Sequence, residues 1–234
     1  EFRRAVKMDR AMLAMLQHQS IVRFLGDGES GGTLFFWTVA SHSAPLSKQL
    51  KNGRSFSSED IIEIGWQVCS ALQLAHNLGL AHGGLSTENV LLSNSLQVTV
   101  IDFGVTRWLR AAEKSVDSAS SGPALITISA LASREDIEKD LLHLAGLLTR
   151  LLETCSDPVP TEPGKVTTCV VLERLLARFD SAHLSGAVQK PASAREFQGR
   201  LGEILIGTGD DPMPLVDQRK AATTSRRSIV VELF

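Results

Sequence analysis

The segment from Asp136 to Glu153 restricts the fold most, because it is apolar on almost every side of a helix. A surface helix carries one apolar stripe, whereas a helix that is apolar all round must be enclosed by other elements. We therefore predict that this segment forms the central helix of a domain. Its leucines are Leu141, Leu142, Leu144, Leu147, Leu148, Leu151 and Leu152.

Further apolar patterns at helical spacing predict a domain with more helix than strand. They indicate helices over residues 1–17, from Ser57 to about Leu80, over Thr168–Phe179 and from Ser193 onward. Ser193 and Glu196 have the S-x-x-E spacing of a capping box, which satisfies two backbone donors at a helix start.

Two hairpins lie between these helices. The first is predicted around the glycine-rich connection "GDGESGG" of residues 26–32, and the second has the strands "VLLS" and "VTVID" around "NSLQ". The order is helix, hairpin, helix, hairpin and then helices only, which indicates an α+β fold with a helical majority.

Composition limits the classes of binding partner and the cellular compartment that we expect for this chain. The 234 residues can bury a sizeable core, and the net charge of −2 provides no basic footprint for nucleic acid. No apolar run approaches the ~20 residues that span a bilayer, so we expect no membrane span. The 3 cysteines have neither metal-ligand nor disulfide spacing, which favours an intracellular, cytoplasmic setting.

Two motifs in the middle of the chain contain side chains that could take part in catalysis or bind a ligand. "HGGLSTEN" covers residues 82–89, and "DFG" covers residues 102–104. At this spacing they resemble the H-R-D-x-x-x-x-N catalytic loop and the D-F-G motif of eukaryotic-type protein kinases. The chain therefore resembles a protein kinase from the αC helix onward. The resemblance implies a mostly helical C-lobe and an incomplete N-lobe.

Other segments extend the resemblance along the chain. "DRAMLAMLQHQSIV" follows the αC pattern with Asp9 on the glutamate position, and "DLLHLAGLLTRLL" follows the central helix with Asp140 as its aspartate. "KPASAREF" resembles the start of the last helix, with Lys190 in place of arginine, and Ser133–Asp136 is the nearest candidate for A-P-E. Because the chain begins at Glu1 without an initiator methionine, we expect a fragment. The positions of the family's glycine-rich loop and strand lysine fall before Glu1, so whether they exist stays open.

The resemblance assigns roles to individual residues. It places Asn89 and Asp102 on the Mg²⁺ ligands of the ATP site and Leu91 against the adenine ring. It also implies that Asp140 holds the backbone of the catalytic loop. The column of side chains that joins the lobes would consist of Leu13, Phe24, His82 and Phe103.

The same alignment shows what the loop lacks. Gly84 falls on the catalytic aspartate, Ser86 on the loop lysine and Gly83 on the arginine that grips an activation-loop phosphate. Glycine can neither accept the hydroxyl proton nor orient the nucleophile, so no catalytic residue is assigned. We expect a pseudokinase domain that binds a protein partner as a scaffold or allosteric regulator.

Two other functions remain open at this point, and so do two roles for Asn89 and Asp102. The chain could be an atypical active Ser/Thr kinase with Glu88 as the only nearby loop carboxylate, or a small-molecule phosphotransferase of the H-G-D type. Asn89 and Asp102 could bind ATP with Mg²⁺, or could persist only as hydrogen-bond partners that shape the loop.

The resemblance also predicts how the chain is divided. The predicted divisions are residues 1–40 for the partial N-lobe, 41–207 for the C-lobe and 208–234 for a polar tail.

Overall fold

The computed structural model describes residues 10, 12–31, 33–105, 131–157, 167–180 and 191–206. The predictions for Asp9, Lys190, most of the first helix and the tail lie outside these residues. Within the first predicted helix, residues 12–15 are helical.

The first predicted hairpin is confirmed, but its connection is shorter than predicted. β1 (Phe24–Ser30) pairs antiparallel with β2 (Thr33–Thr38), with Ser30 opposite Thr33. The prediction that residues 26–32 form the connection was wrong, because most of them continue β1. A Cβ added at Gly28 would lie 2.5 Å from the Trp37 ring, so glycine here makes room for an indole from the facing strand.

A second, separate sheet contains three short antiparallel strands in the order β3, β4, β5. The predicted hairpin is confirmed as β4 (Val90–Leu92) and β5 (Val98–Val100). β3 (Ala44–Pro45), which the sequence did not indicate, pairs with β4 and leads directly into the short helix α1 (Leu46–Lys51).

The long helix α2 (Ser58–Asn77) begins at a capping box formed by Ser57 and Asp60. Its side chains at helical spacing are fully buried against the rest of the domain, as the sequence predicts. They include Ile61, Ile64, Val68, Ala71, Leu72 and Ala75.

The central helix α3 (Arg134–Leu152) also begins at a capping box, made by Ser133 and Asp136. The segment considered as a candidate A-P-E is thus the start of this helix. Most of its leucines are buried, but Leu142 is 49% exposed, so the helix is not enclosed on all sides as predicted. That open side borders a groove of about 670 Å³ between α3 and the following helix.

Two further helices follow in the described residues: α4 (Thr168–Asp180) and α5 (Ala194–Leu205). Phe179 and Phe197 stack with ring centroids 4.9 Å apart. At the start of α5, Ser193 Oγ accepts from the backbone N–H of Glu196, but the Glu196 carboxylate accepts from Ala192 N at 2.9 Å. The predicted capping box is therefore only half formed, because the glutamate reaches one residue further back.

The described residues form two small sheets and a helical majority, so the predicted α+β class is confirmed. One close approach shows how tightly the helices pack: a Cβ on Gly65 of α2 would lie 2.9 Å from Leu201 and 3.0 Å from Leu148. In the described part of the chain, no helix combines the length and apolar character needed to cross a membrane.

Candidate functional site

The His82–Asn89 loop is positioned by the way α2 ends. Gly79 has a φ of 74°, a left-handed conformation that glycine adopts without steric cost. The backbone N–H of Leu80 donates to Ala75 O and that of Gly79 donates to His76 O, each at 2.9 Å. This pair of bonds is a Schellman motif, which ends the helix and turns the chain sharply into the loop.

The loop backbone is held from below by Asp140 of α3, which is fully buried. Its carboxylate accepts from His82 N at 2.7 Å and from Gly83 N at 2.8 Å. The same group contacts His76 Nε2 at 2.9 Å. A buried carboxylate is costly unless its oxygens are hydrogen-bonded, and here both oxygens are. These are the backbone contacts that the resemblance implies for Asp140.

Gly83 adopts a backbone conformation that favours glycine over any residue with a side chain. Its φ is 77°, and in that conformation its N–H points to the Asp140 carboxylate. A side chain there would add a steric cost of roughly 1–2 kcal/mol. Gly84 is not among the residues with positive φ, so its backbone would accept an aspartate.

His82 is buried, and each ring nitrogen has a partner. Nε2 lies 2.9 Å from the carbonyl oxygen of Ile101, and Nδ1 accepts from Gly84 N at 3.3 Å. A neutral imidazole protonated on Nε2 satisfies both contacts. Burial lowers the pKa of His82, and the carboxylates of Asp140 and Asp102 only partly oppose that shift.

The side chains predicted to form the column between the lobes are brought together. Leu13, Phe24 and Phe103 line one cavity of about 90 Å³, and Asp102 lies on its wall. The Phe103 ring packs on His82 with centroids 4.8 Å apart. The residues are thus contiguous, and their role in coupling two lobes stays a prediction.

The predicted metal ligands lie on the exposed side of the loop, where they contact each other. Asn89 Nδ2 donates to Asp102 Oδ2 at 3.2 Å, and Ser86 Oγ donates to Asn89 Oδ1 at 2.7 Å. Mg²⁺ takes oxygen ligands. In this structure the amide nitrogen faces the Asp102 carboxylate and donates to it, so the two side chains are hydrogen-bond partners, and their role as Mg²⁺ ligands stays a prediction.

Two other predicted residues have clear surroundings. Leu91 is half-buried between the buried Val90 and Leu92, so its side chain lies on the face of β4 away from the core. Glu88 Oε2 accepts from Ser47 Oγ at 2.7 Å, which directs this carboxylate towards the start of α1.

The sequence did not indicate His76 or Ser47 as part of the site. His76 lies 64 positions from Asp140, at the end of a helix where a polar residue is ordinary. The only available signal was its spacing one turn after Leu72, on the buried face of α2.

Comparison with known proteins agrees with this geometry. Residues 2–135, more than half of the chain, match the family model of protein tyrosine and serine/threonine kinases. The chain is 26% identical over 142 residues to the probable serine/threonine-protein kinase PknB of Lactococcus lactis, covering 60% of this chain and 23% of that protein. It is 30% identical over 122 residues to the mouse serine/threonine-protein kinase Nek4, covering 51% of this chain and 15% of that protein.

A third relative is the serine/threonine-protein kinase PknA of Mycobacterium tuberculosis, 30% identical over 117 residues, with 48% of this chain and 27% of that protein covered. The match thus spans about a quarter or less of the length of these curated relatives. The matched region contains both the loop and the D-F-G motif. The chain belongs to the family of protein tyrosine and serine/threonine kinases.

Proposed function

We propose that this chain is a pseudokinase domain that binds a protein partner, as a scaffold or allosteric regulator, and does not transfer phosphate. The observation that carries the proposal is Gly84, a residue without a side chain that directly follows the two backbone N–H groups bound by Asp140. In kinases the aspartate at this position accepts the substrate hydroxyl proton and orients the nucleophile.

Ser86 supports the same conclusion. A lysine at this position would place a cation near the transferred phosphoryl group, whereas the serine hydroxyl donates to Asn89. Removing a positioned catalytic group typically costs ~10²-fold or more in rate. Effects within one site are not additive, so the two changes together predict near-silence and no specific rate.

The competing function is an atypical active Ser/Thr kinase that binds ATP with Mg²⁺. It requires a replacement base, and Glu88 is the carboxylate that the loop offers. The hydrogen bond from Ser47 Oγ to Glu88 Oε2 directs that carboxylate to α1, which favours the pseudokinase over this alternative. The protein-kinase family match likewise disfavours a small-molecule phosphotransferase.

The proposal includes the division into a partial N-lobe (1–40), a C-lobe (41–207) and a tail (208–234). It also includes an intracellular, cytoplasmic setting, which the few unpatterned cysteines support. ATP is the cofactor that the family generally uses, and a nucleotide bound here would act as a regulatory ligand.

Quantitative affinity purification of the protein from its own cells tests the proposal. Wild type and Gly84→Asp should retain the same partners, because Gly84 does not have the positive φ that would disfavour a side chain. Phe103→Ala should lose them with the fold, and Phe35→Ala, on an exposed strand position, serves as the matched control. Partners that bind only when a catalytic aspartate is present would contradict a scaffold role.

A further inference from the structure

We propose that Cys155 and Cys169 form a site of covalent modification, at which a peroxide oxidises the two thiols to one intramolecular disulfide. Both cysteines are free and partly exposed. The disulfide would join the segment that follows α3 to the first turn of α4. The site lies outside the His82–Asn89 loop and the D-F-G motif, so the inference goes beyond the proposed function and does not depend on it.

The two thiols are already in contact. The side chains of Cys155 and Cys169 are hydrogen-bond partners, and the Cys169 thiol also donates to Glu173 Oε1 at 3.9 Å. This contact meets the first condition for a disulfide, which is that the two side chains face each other at short range. Among the described residues, no three side chains cluster in a way that could hold a metal ion, so the pair is not part of such a site.

Backbone structure holds both cysteines in place. Cys155 forms a β-bridge with Phe56, and the backbone N–H of the next residue, Ser156, donates to Phe56 O at 3.0 Å. Cys169 is the second residue of the helix α4. Because both segments are already ordered, a bond between the two sulfur atoms costs little additional conformational entropy.

Exposure and protonation decide which thiol reacts with an oxidant. Cys69 is fully buried, and burial raises the pKa of its thiol, so it stays protonated and inaccessible. Burial, Cys155 and the carboxylates of Glu173 and Asp157 raise the pKa of Cys169 to about 12. Since the thiolate is the nucleophile, Cys155 attacks the peroxide and Cys169 reacts in the second step.

The reaction is a two-electron oxidation in two steps. The Cys155 sulfur attacks hydrogen peroxide, the O–O bond breaks, and Cys155 becomes a sulfenic acid as one water is released. The Cys169 sulfur then displaces the hydroxyl group from Cys155, and the hydroxyl leaves as a second water with the thiol proton of Cys169. The two sulfur atoms lose two electrons in total, and the peroxide accepts them.

The disulfide would connect the two walls of the groove between α3 and α4. Leu152 and Glu153 line one wall beside Cys155, and Glu173 lines the other wall one helical turn from Cys169. The modification therefore ties the two helices together at one end of the groove. In a reducing compartment such a bond is transient and typical of redox-sensing cysteines.

The test treats the full chain at micromolar concentration with hydrogen peroxide, alkylates the remaining thiols and analyses unreduced tryptic peptides by mass spectrometry. Trypsin cleaves after Arg150, Lys165 and Arg174, which places Cys155 and Cys169 on separate peptides. Wild type should give these two peptides as one disulfide-linked pair, lighter by two hydrogen atoms than the reduced peptides together. Cys69 should remain unoxidised in the folded protein and become oxidised only in guanidinium chloride.

Serine variants separate the roles of the three cysteines. Cys69→Ser is the matched control and should leave the linked pair unchanged, whereas Cys155→Ser and Cys169→Ser should each abolish it. Dimedone, which traps sulfenic acids, should label Cys155 in the Cys169→Ser variant at least about tenfold faster than Cys169 in the Cys155→Ser variant.

Three free thiols after peroxide treatment of wild type would overturn the proposal. So would a disulfide that includes Cys69 or that joins two chains. Equal dimedone labelling of Cys155 and Cys169 in the two single variants would also contradict it. Because the wild-type peptide map needs no substitution, the proposal stays testable if a serine variant fails to fold.

Discussion

The two sides of the His82–Asn89 loop differ in burial and in what they contact. The anchored side comprises Asp140 with the backbone N–H groups of His82 and Gly83, which are all hydrogen-bonded; Asp140 and His82 are buried, and Gly83 is half-buried. The open side comprises Gly84, Ser86, Asn89 and Asp102, which are half-buried or exposed. The anchored side follows the kinase pattern in Asp140 and His82, whereas the open side departs from it at Gly84 and Ser86.

This difference separates what the fold needs from what the chemistry needs. Buried polar groups lose several kcal/mol when a partner is removed, whereas exposed polar groups lose little because water replaces the partner. A chain can therefore change its open side at little cost in stability, while changes to the anchored side cost more. We infer that the loop serves the fold after its catalytic groups have been replaced.

The largest expected effect is that of Asp140→Ala. It leaves the backbone donors of His82 and Gly83 buried without an acceptor, so we expect the free energy of unfolding to fall by about 4–5 kcal/mol. Urea unfolding monitored by circular dichroism measures the loss. Glu135→Ala, which removes an exposed carboxylate from the same helix, is the control and should change stability by less than about 0.5 kcal/mol.

Truncation of Phe103 should have the next largest effect. Its ring is 4% exposed, packs on His82 and lines an existing cavity, so Phe103→Ala enlarges a void that the neighbours cannot fill. The expected loss is about 3–4 kcal/mol. A loss below about 1 kcal/mol, similar to that of the exposed control Phe35→Ala, would show that the column contributes little to the free energy of unfolding.

The adjacent glycines provide a matched pair for the two sides of the loop. Gly83→Ala should cost about 1–2 kcal/mol, because a Cβ is strained at its φ of 77°. Gly84→Ala should be neutral or slightly stabilising, since its backbone is not in the left-handed region. Thermal unfolding of both variants checks this, and equal costs would mean that the loop turn does not depend on Gly83.

Acidification should weaken the fold through the buried His82 and the half-buried His18. Burial lowers the pKa of both histidines below the usual value of 6.5. The unfolded chain therefore binds more protons than the folded one below that pH, and stability falls as the pH drops. Between pH 7.5 and 6.0 the loss should be no more than about 0.8 kcal/mol for His82, and it should be smaller for the half-exposed His18, whose charge is screened by water.

Urea titrations at the two pH values measure the loss, and His18→Gln isolates the contribution of His82. A wild-type protein that becomes more stable at pH 6.0 would contradict a neutral His82 in the folded state.

Local and motif-based features of this fold were predictable from the sequence. The capping box of Ser57 and Asp60 depends on neighbouring residues, and the contacts of Asp140 followed from its position in a helix motif. Features that depend on contacts between residues distant in the sequence were not predictable. The run from Gly26 to Ser30 indicates a turn by composition, and only the facing Trp37 explains why it remains a strand.

The candidate site shows the same limit. The alignment placed Ser86 at the position of the loop lysine. The hydrogen bond from its hydroxyl to Asn89 depends on the directions of the two side chains, which the sequence spacing does not determine. β3 was missed because two residues, Ala44 and Pro45, carry no alternation that a sequence can show.

The most direct test of the account is phosphate incorporation from radiolabelled ATP by the purified full-length protein, into itself and into a peptide library. The assay contains Mg²⁺ and Mn²⁺ and compares wild type with Asp102→Asn. The account predicts the same background level for both proteins, because Gly84 supplies no group to orient a nucleophile. Incorporation by wild type that Asp102→Asn removes would contradict it and would establish an active kinase.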